Sequence, residues 1–119
     1  MYQYADDQIQ RVSWDVHGIK SILSDNRGRV WMGTKYGIAY SDGHERRILG
    51  TNNVATLPAV RALAQTPDGN VWAGADDGTI YHCEPDKLTP FRPMDALAEQ
   101  PIYSLVADAD GTLWAGTFR

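Results

Sequence analysis

The sequence holds a single cysteine, Cys83, so neither an intrachain disulfide framework nor a multi-cysteine zinc site is open to it. No apolar stretch approaches the roughly 18–20 residues that span a bilayer, so no membrane insertion is expected. Met1 to Gln10 carries acids and glutamines where a signal peptide would place lysines and an apolar run, which leaves the cytoplasm as the default compartment. Basic residues are in deficit, 11 against 15 acids for a formal charge of −4, and non-specific nucleic-acid binding wants the opposite. Sustained helical periodicity is missing as well; only Met94–Gln100 reads as a helix-like stretch, of one turn at most. Phenylalanine is scarce, at two residues, beside four Trp and six Tyr. At 119 residues, 43% hydrophobic and 22% charged, the composition is that of one globular domain.

The tryptophans are not scattered. Trp31, Trp72 and Trp114 lie 41 and 42 residues apart, each in the same frame. Asp25-Asn26-Arg27-Gly28-Arg29-Val30-Trp31-Met32-Gly33-Thr34 aligns with Thr66-Pro67-Asp68-Gly69-Asn70-Val71-Trp72-Ala73-Gly74-Ala75, and both align with Asp108 to Thr117. An apolar pair precedes each: Ile22/Leu23, Leu63/Ala64 and Leu105/Val106. Downstream, Gly37-Ile38-Ala39-Tyr40 lies beside Gly78-Thr79-Ile80-Tyr81.

Each copy reads as short strands separated by turns. Ile19 to Ser24 is a β-prone run that ends in a hairpin turn at Asp25–Gly28, and Asp68-Gly69 and Asp110-Gly111 mark the same turn in the other copies. Val30 to Thr34 forms the return strand, a third ends at Tyr40 or Tyr81, and a more polar fourth follows near Arg46–Leu49 and Lys87–Phe91. Four strands in about 41 residues is the period of a β-propeller blade, so the expected fold is all-β, built of four-stranded antiparallel blades.

The pattern Ile-x-x-Leu-x-x-Asp-x-x-Gly-x-Leu-Trp-x-Gly-Thr, followed by Gly-Ile/Leu-x-Tyr, resembles the two-component regulator propeller repeat. Ile102-Tyr103-Ser104-Leu105 through Thr117 matches it best, and the second copy departs from it at Ala75-Asp76. The resemblance implies a sensor-like propeller of the kind found in the extracytoplasmic parts of bacterial hybrid two-component receptors. It specifies fold well and activity poorly, because propellers host many functions.

The copies count to three blades per chain. Residues 17–57 and 58–100 are expected to form one blade each, and 101–119 supply the inner two strands of a third. Residues 1–16 then supply the outer strands that complete a neighbour's blade, because Tyr4-Ala5-Asp6-Asp7 aligns with Tyr40-Ser41-Asp42-Gly43. The ends are phased so that Arg119 of one chain runs into Met1 of another. The expectation is a Velcro-type closure in trans, a head-to-tail homodimer with six blades, inside the usual range of four to eight; the alternative is that the chain is one piece of a larger propeller.

Within the frame, Trp31, Trp72 and Trp114 are expected as wedges between blades with their indole N–H groups bonded nearby. Gly33, Gly74 and Gly116 allow neighbouring strands to approach, and Tyr4, Tyr40 and Tyr81 pack. Asp108-x-Asp110-Gly111 has the look of a calcium loop, but lacks the Glu at position twelve and reads as a hairpin turn. His17, His44 and His82 are dispersed and make no ligand set, so no metal and no cofactor is expected. No nucleophile elbow, P-loop, dinucleotide fingerprint or zincin motif is present, and no catalytic residue is assigned.

By the resemblance, ligands sit at the mouth of the central channel, among loops that enter the innermost strand and loops that join the second and third. The candidates there are Trp14, His17, Lys35, Tyr36, Asp76, Asp77, Tyr103 and Arg119, with Gly18, Pro101 and Phe118 beside them. Trp14 is the one tryptophan outside the repeat frame. Aromatics mixed with charges suit a small polar ligand or glycan, so the expected activity is binding without catalysis. Two alternatives stay open: a small propeller lyase or hydrolase using a His–carboxylate pair such as Asp15 with His17, and a structural scaffold.

Overall fold

A computed structural model of the chain describes residues 2–11, 16–49, 57–91 and 100–117. Trp14, Asp15, Phe118, Arg119 and the helix-like stretch over 94–99 lie outside these residues. Every element among them is a strand. Strands β3 (Ile19–Ser24), β4 (Val30–Thr34), β5 (Gly37–Ser41) and β6 (Arg46–Leu49) pair antiparallel in that order. Strands β7 (Val60–Gln65), β8 (Val71–Ala75), β9 (Ile80–Glu84) and β10 (Lys87–Phe91) form a second such sheet. Two hairpins complete the list: β11 (Ile102–Ala107) with β12 (Leu113–Thr117), and β1 (Tyr2–Ala5) with β2 (Gln8–Arg11). The chain is all-β, and its four-stranded sheets have the form of propeller blades.

The turn that opens each copy is built the same way three times. Backbone bonds run from Asp25 N to Arg29 O, Thr66 N to Asn70 O and Asp108 N to Thr112 O, at 2.9, 2.9 and 3.0 Å. Inside these loops Gly28, Gly69 and Gly111 adopt φ of 75°, 91° and 91°, which only glycine reaches without strain. The first residue of each turn then accepts the indole N–H of the tryptophan six positions on. Trp31 donates to Asp25 Oδ2 at 2.8 Å, Trp72 to Thr66 Oγ1 at 3.0 Å and Trp114 to Asp108 Oδ2 at 2.9 Å. Each tryptophan thereby has its one polar atom satisfied and its ring free to pack.

The sheets stack face to face. Trp31, Ile38 and Tyr40 of the first sheet and Val71, Ala73, Tyr81, Cys83 and Leu88 of the second form one buried core. The other face of the second sheet packs Ala62, Ala64 and half-buried Trp72 against Ile102 and Leu105 of β11. Close approach depends on the repeated glycines. A Cβ on Gly33 would lie 2.5 Å from the Val60 carbonyl oxygen, and one on Gly74 would lie 2.5 Å from Ile102 Cγ2. Val60 and Ile102 open the first strands of their own sheets, so one contact repeats between successive sheets.

Tyr40 and Tyr81, equivalent by sequence, enter that core from opposite sides. Tyr40 pairs across the sheet with Trp31, whereas Tyr81 pairs with Ala73 and it is His82 that stands opposite Trp72. Cross-strand partners share a face. The cause is loop length: two residues, Lys35 and Tyr36, join Thr34 to Gly37, while three join Ala75 to Thr79, closed by a bond from Ala75 N to Thr79 O at 3.0 Å. One extra residue moves every following side chain to the other face.

Burial of the three tryptophans falls along the chain. Trp31 is 0% exposed, Trp72 is half-buried and Trp114 is 62% exposed. Tyr4, also placed in the packing set by its sequence, is 68% exposed. Trp114 and Tyr4 belong to neither buried cluster: Trp114 lies on β12, whose Leu113 packs on the second sheet, and Tyr4 lies on the β1–β2 hairpin.

Candidate functional site

Strand direction defines two ends of the stacked sheets. The Asp25, Thr66 and Asp108 turns lie at one end. At the other lie the starts of the first strands and the loops between second and third strands, where the candidates among the described residues fall; Trp14 and Arg119 lie outside those residues. Lys35 N donates to Gly18 O at 2.8 Å, and Asp76 N donates to Ala59 O at 2.9 Å, so each of these loops is tied to the residues that lead into its first strand. His17, Lys35 and Tyr36 are thus gathered on the first sheet, and Asp76, Asp77 and Tyr103 on the second and third.

Their chemistry pairs aromatic faces with cations. Lys35 Nζ sits 5.8 Å from the Tyr36 ring centroid. The Arg61 guanidinium lies 5.4 Å from the Tyr103 ring centroid and forks onto Asp76, with Nε to Oδ1 at 2.7 Å and Nη2 to Oδ2 at 3.3 Å. The Asp76 carboxylate raises the affinity of Arg61 for its proton, and two-point contact fixes the guanidinium plane over the tyrosine. Asp77 accepts the backbone N–H of Thr79 at 3.0 Å and so shapes its own loop. His17 and Tyr36 line a hollow of about 110 Å³ with Val16, Thr34, Ala39 and Ile48.

Arg61 belongs to this site and was missed in the sequence, together with Lys20. The register of all three first strands breaks at one place: between Ile19 and Ser21, between Val60 and Ala62, and between Ile102 and Ser104. The residues that the register skips are Lys20, Arg61 and Tyr103. A bulge turns its extra side chain away from the alternation of the strand, and such bulges recur beside functional sites. The signal was present in the aligned copies, where this position changes character while the residue before it stays Ile or Val.

The acid-rich turn at the opposite end has a structural occupation. Asp108 accepts from Asp110 N at 3.1 Å, Thr112 N at 3.0 Å and the Trp114 indole. Its carboxyl is lowered to about 2 by the Asp110 side chain first and then by these donors. A second hollow at this end, about 270 Å³, is bordered by Arg27, Arg29, Asn70 and Glu84. Arg29 is already committed there, donating from Nε to Asp25 at 2.6 Å.

The repeated turn, the bonded tryptophan and the inter-sheet glycine recur in order, and comparison with known families agrees. Residues 13–36 and 96–119 match the two component regulator propeller family. Both segments are similar to two component regulator propeller repeats. The matched segments contain the Trp31 and Trp114 copies; the propeller copy around Trp72, which departs from the pattern at Ala75-Asp76 and carries the longer loop, lies outside both. No curated protein matches the chain.

Proposed function

We propose that the protein is a non-enzymatic binding module that takes a small polar ligand or glycan at the end of the stack formed by the first-strand starts. The supporting observation is the set of three equivalent bulges that present Lys20, Arg61 and Tyr103 at corresponding points of successive first strands. A tyrosine face beside a fixed guanidinium suits a ring that carries hydroxyl or carboxylate groups, with stacking on one side and charge-assisted hydrogen bonds on its rim. The arc of blades closes head to tail with a second copy, so each group stands twice around a six-bladed ring, within the range propellers use. A sensory role fits such a site when the ring acts with a signalling partner.

Thermal-shift screening with neutral and acidic saccharides tests the assignment. A binder raises the melting temperature of the wild-type chain, and Tyr103→Ala or Arg61→Ala abolishes the rise while each variant keeps its β-sheet circular dichroism. A rise that survives both substitutions places the ligand elsewhere.

A further inference from the structure

The two hairpins are separate two-stranded sheets whose turns, faces and chain paths bear on how they fit together. Trp31 is fully buried in a core it shares with Tyr81, Cys83 and Leu88 of β9 and β10, the outer strands of the next sheet. Trp72 faces β11 and β12, a sheet of two strands among the described residues, and stays half-buried with Phe91, 52% exposed, at a ring distance of 5.8 Å.

The β1–β2 hairpin has the shape of the missing piece. Its two-residue turn, Asp6-Asp7, equals the Pro85-Asp86 turn between β9 and β10, whereas four residues join β5 to β6. The match sets Tyr2 in the place of Tyr81, Tyr4 in that of Cys83 and Ile9 in that of Leu88; Ile9 pairs with Tyr4 as Leu88 pairs with Cys83. It shifts the sequence alignment, which set Tyr4 beside Tyr40, and turns the apolar face toward the preceding sheet. In one chain that face is bare, with Tyr2, Tyr4 and Ile9 exposed at 71%, 68% and 73%. Gln3 falls at His82, on a face that is already partly polar in the complete sheet.

The path of the chain agrees. The fourth strand of each complete sheet passes to the first strand of the next, β6 to β7 and β10 to β11. In the same way β2 passes to β3. The glycine contact extends the series: Val60 lies on Gly33 and Ile102 on Gly74, while among the described residues the atoms nearest Gly116 are those of its cross-strand neighbour Ser104. The residue equivalent to Val60 and Ile102 in the first sheet is Ile19.

We propose that a second copy of this chain occupies both open surfaces. The β1 strand of its β1–β2 hairpin pairs with β12 as β9 pairs with β8, and β2 lies outermost as β10 does, laying Tyr2, Tyr4 and Ile9 over Trp72 and Phe91. Its first sheet then follows, with Ile19 of the second copy against Gly116 and Trp114 covered. The seam continues the contact already made twice inside the chain. This rests on the ring reading above and assigns its surfaces.

Light scattering with oxidative footprinting of the full chain tests it. The wild type runs at twice the 13.2 kDa chain mass, and Trp72 and Trp114 are protected along with Trp31. Ile9→Lys halves the mass and exposes Trp72 and Trp114, leaving Trp31 protected. Gly116→Leu also halves the mass, since exposed Ser104 can swing aside, whereas Gly74→Leu collides with Ile102 and loses β structure. Both seam variants keep their circular dichroism, because Ile9 and Gly116 pack little within their own chain; loss of the signal overturns the assignment. A dimer in which Ile9→Lys changes neither mass nor Trp72 protection overturns the hairpin seat and leaves the ring standing. A wild-type mass of one chain, or a ladder above two, overturns both.

Discussion

At the scale of single residues, Asp25 carries the most. Its side chain is fully buried, and its two oxygens take the Arg27 and Arg29 backbone N–H groups, the Arg29 guanidinium and the Trp31 indole. Asp25→Ala strands these donors and leaves Arg29 without its partner, a loss of about 3 kcal/mol. Urea unfolding should show it as a lower midpoint at unchanged slope. The same residue sets a pH dependence. Burial pushes its carboxyl up, but the donors outweigh burial and hold it below the ordinary 3.8. A depressed carboxylate adds stability above its unfolded value and loses it as the pH falls through the folded one. Thermal midpoints of the wild type therefore drop on acidification below about pH 4, and Asp25→Asn, which is destabilised throughout, shows a flatter curve over that range. A parallel curve for the variant would remove Asp25 as a source of the acid sensitivity.

At the scale of elements, strand positions were legible because glycine-bearing turns punctuate short β-prone runs: Ile19–Ser24, Val30–Thr34, Arg46–Leu49 and Lys87–Phe91 appear as read. The indole bonds were legible too, since one polar atom on a repeated wedge needs one acceptor. Two features were not. Tyr40 and Tyr81 align in sequence yet face opposite ways, because the added loop residue changes register without disturbing the pattern. Arg61 and Lys20 stayed hidden because a bulge is a property of pairing, and alternation alone assigns those side chains to a sheet face. The loop that reverses Tyr81 depends on Gly78, whose φ is 85°. Gly78→Val, a β-branched residue forced into that region, costs about 1–2 kcal/mol or more. Hydrogen exchange should find faster opening confined to β8, β9 and β10; uniform acceleration across both four-stranded sheets would mean that the loop is not a local determinant.

At the scale of the whole molecule, two four-stranded sheets and two hairpins leave apolar surface open on the hairpins and on the first sheet. Ile22 and Ile48 lie exposed on the first sheet, and Val106 and Trp114 on the last. Patches at both ends of a stack whose successive members pack by one repeated contact are what a closing ring requires. The proposed binding site depends on the proposed closure, since a channel mouth exists only when a ring is complete. The most direct test is the mass of the chain in solution by light scattering at micromolar concentration. The account predicts one species at twice 13.2 kDa; a single species at 13.2 kDa would contradict it.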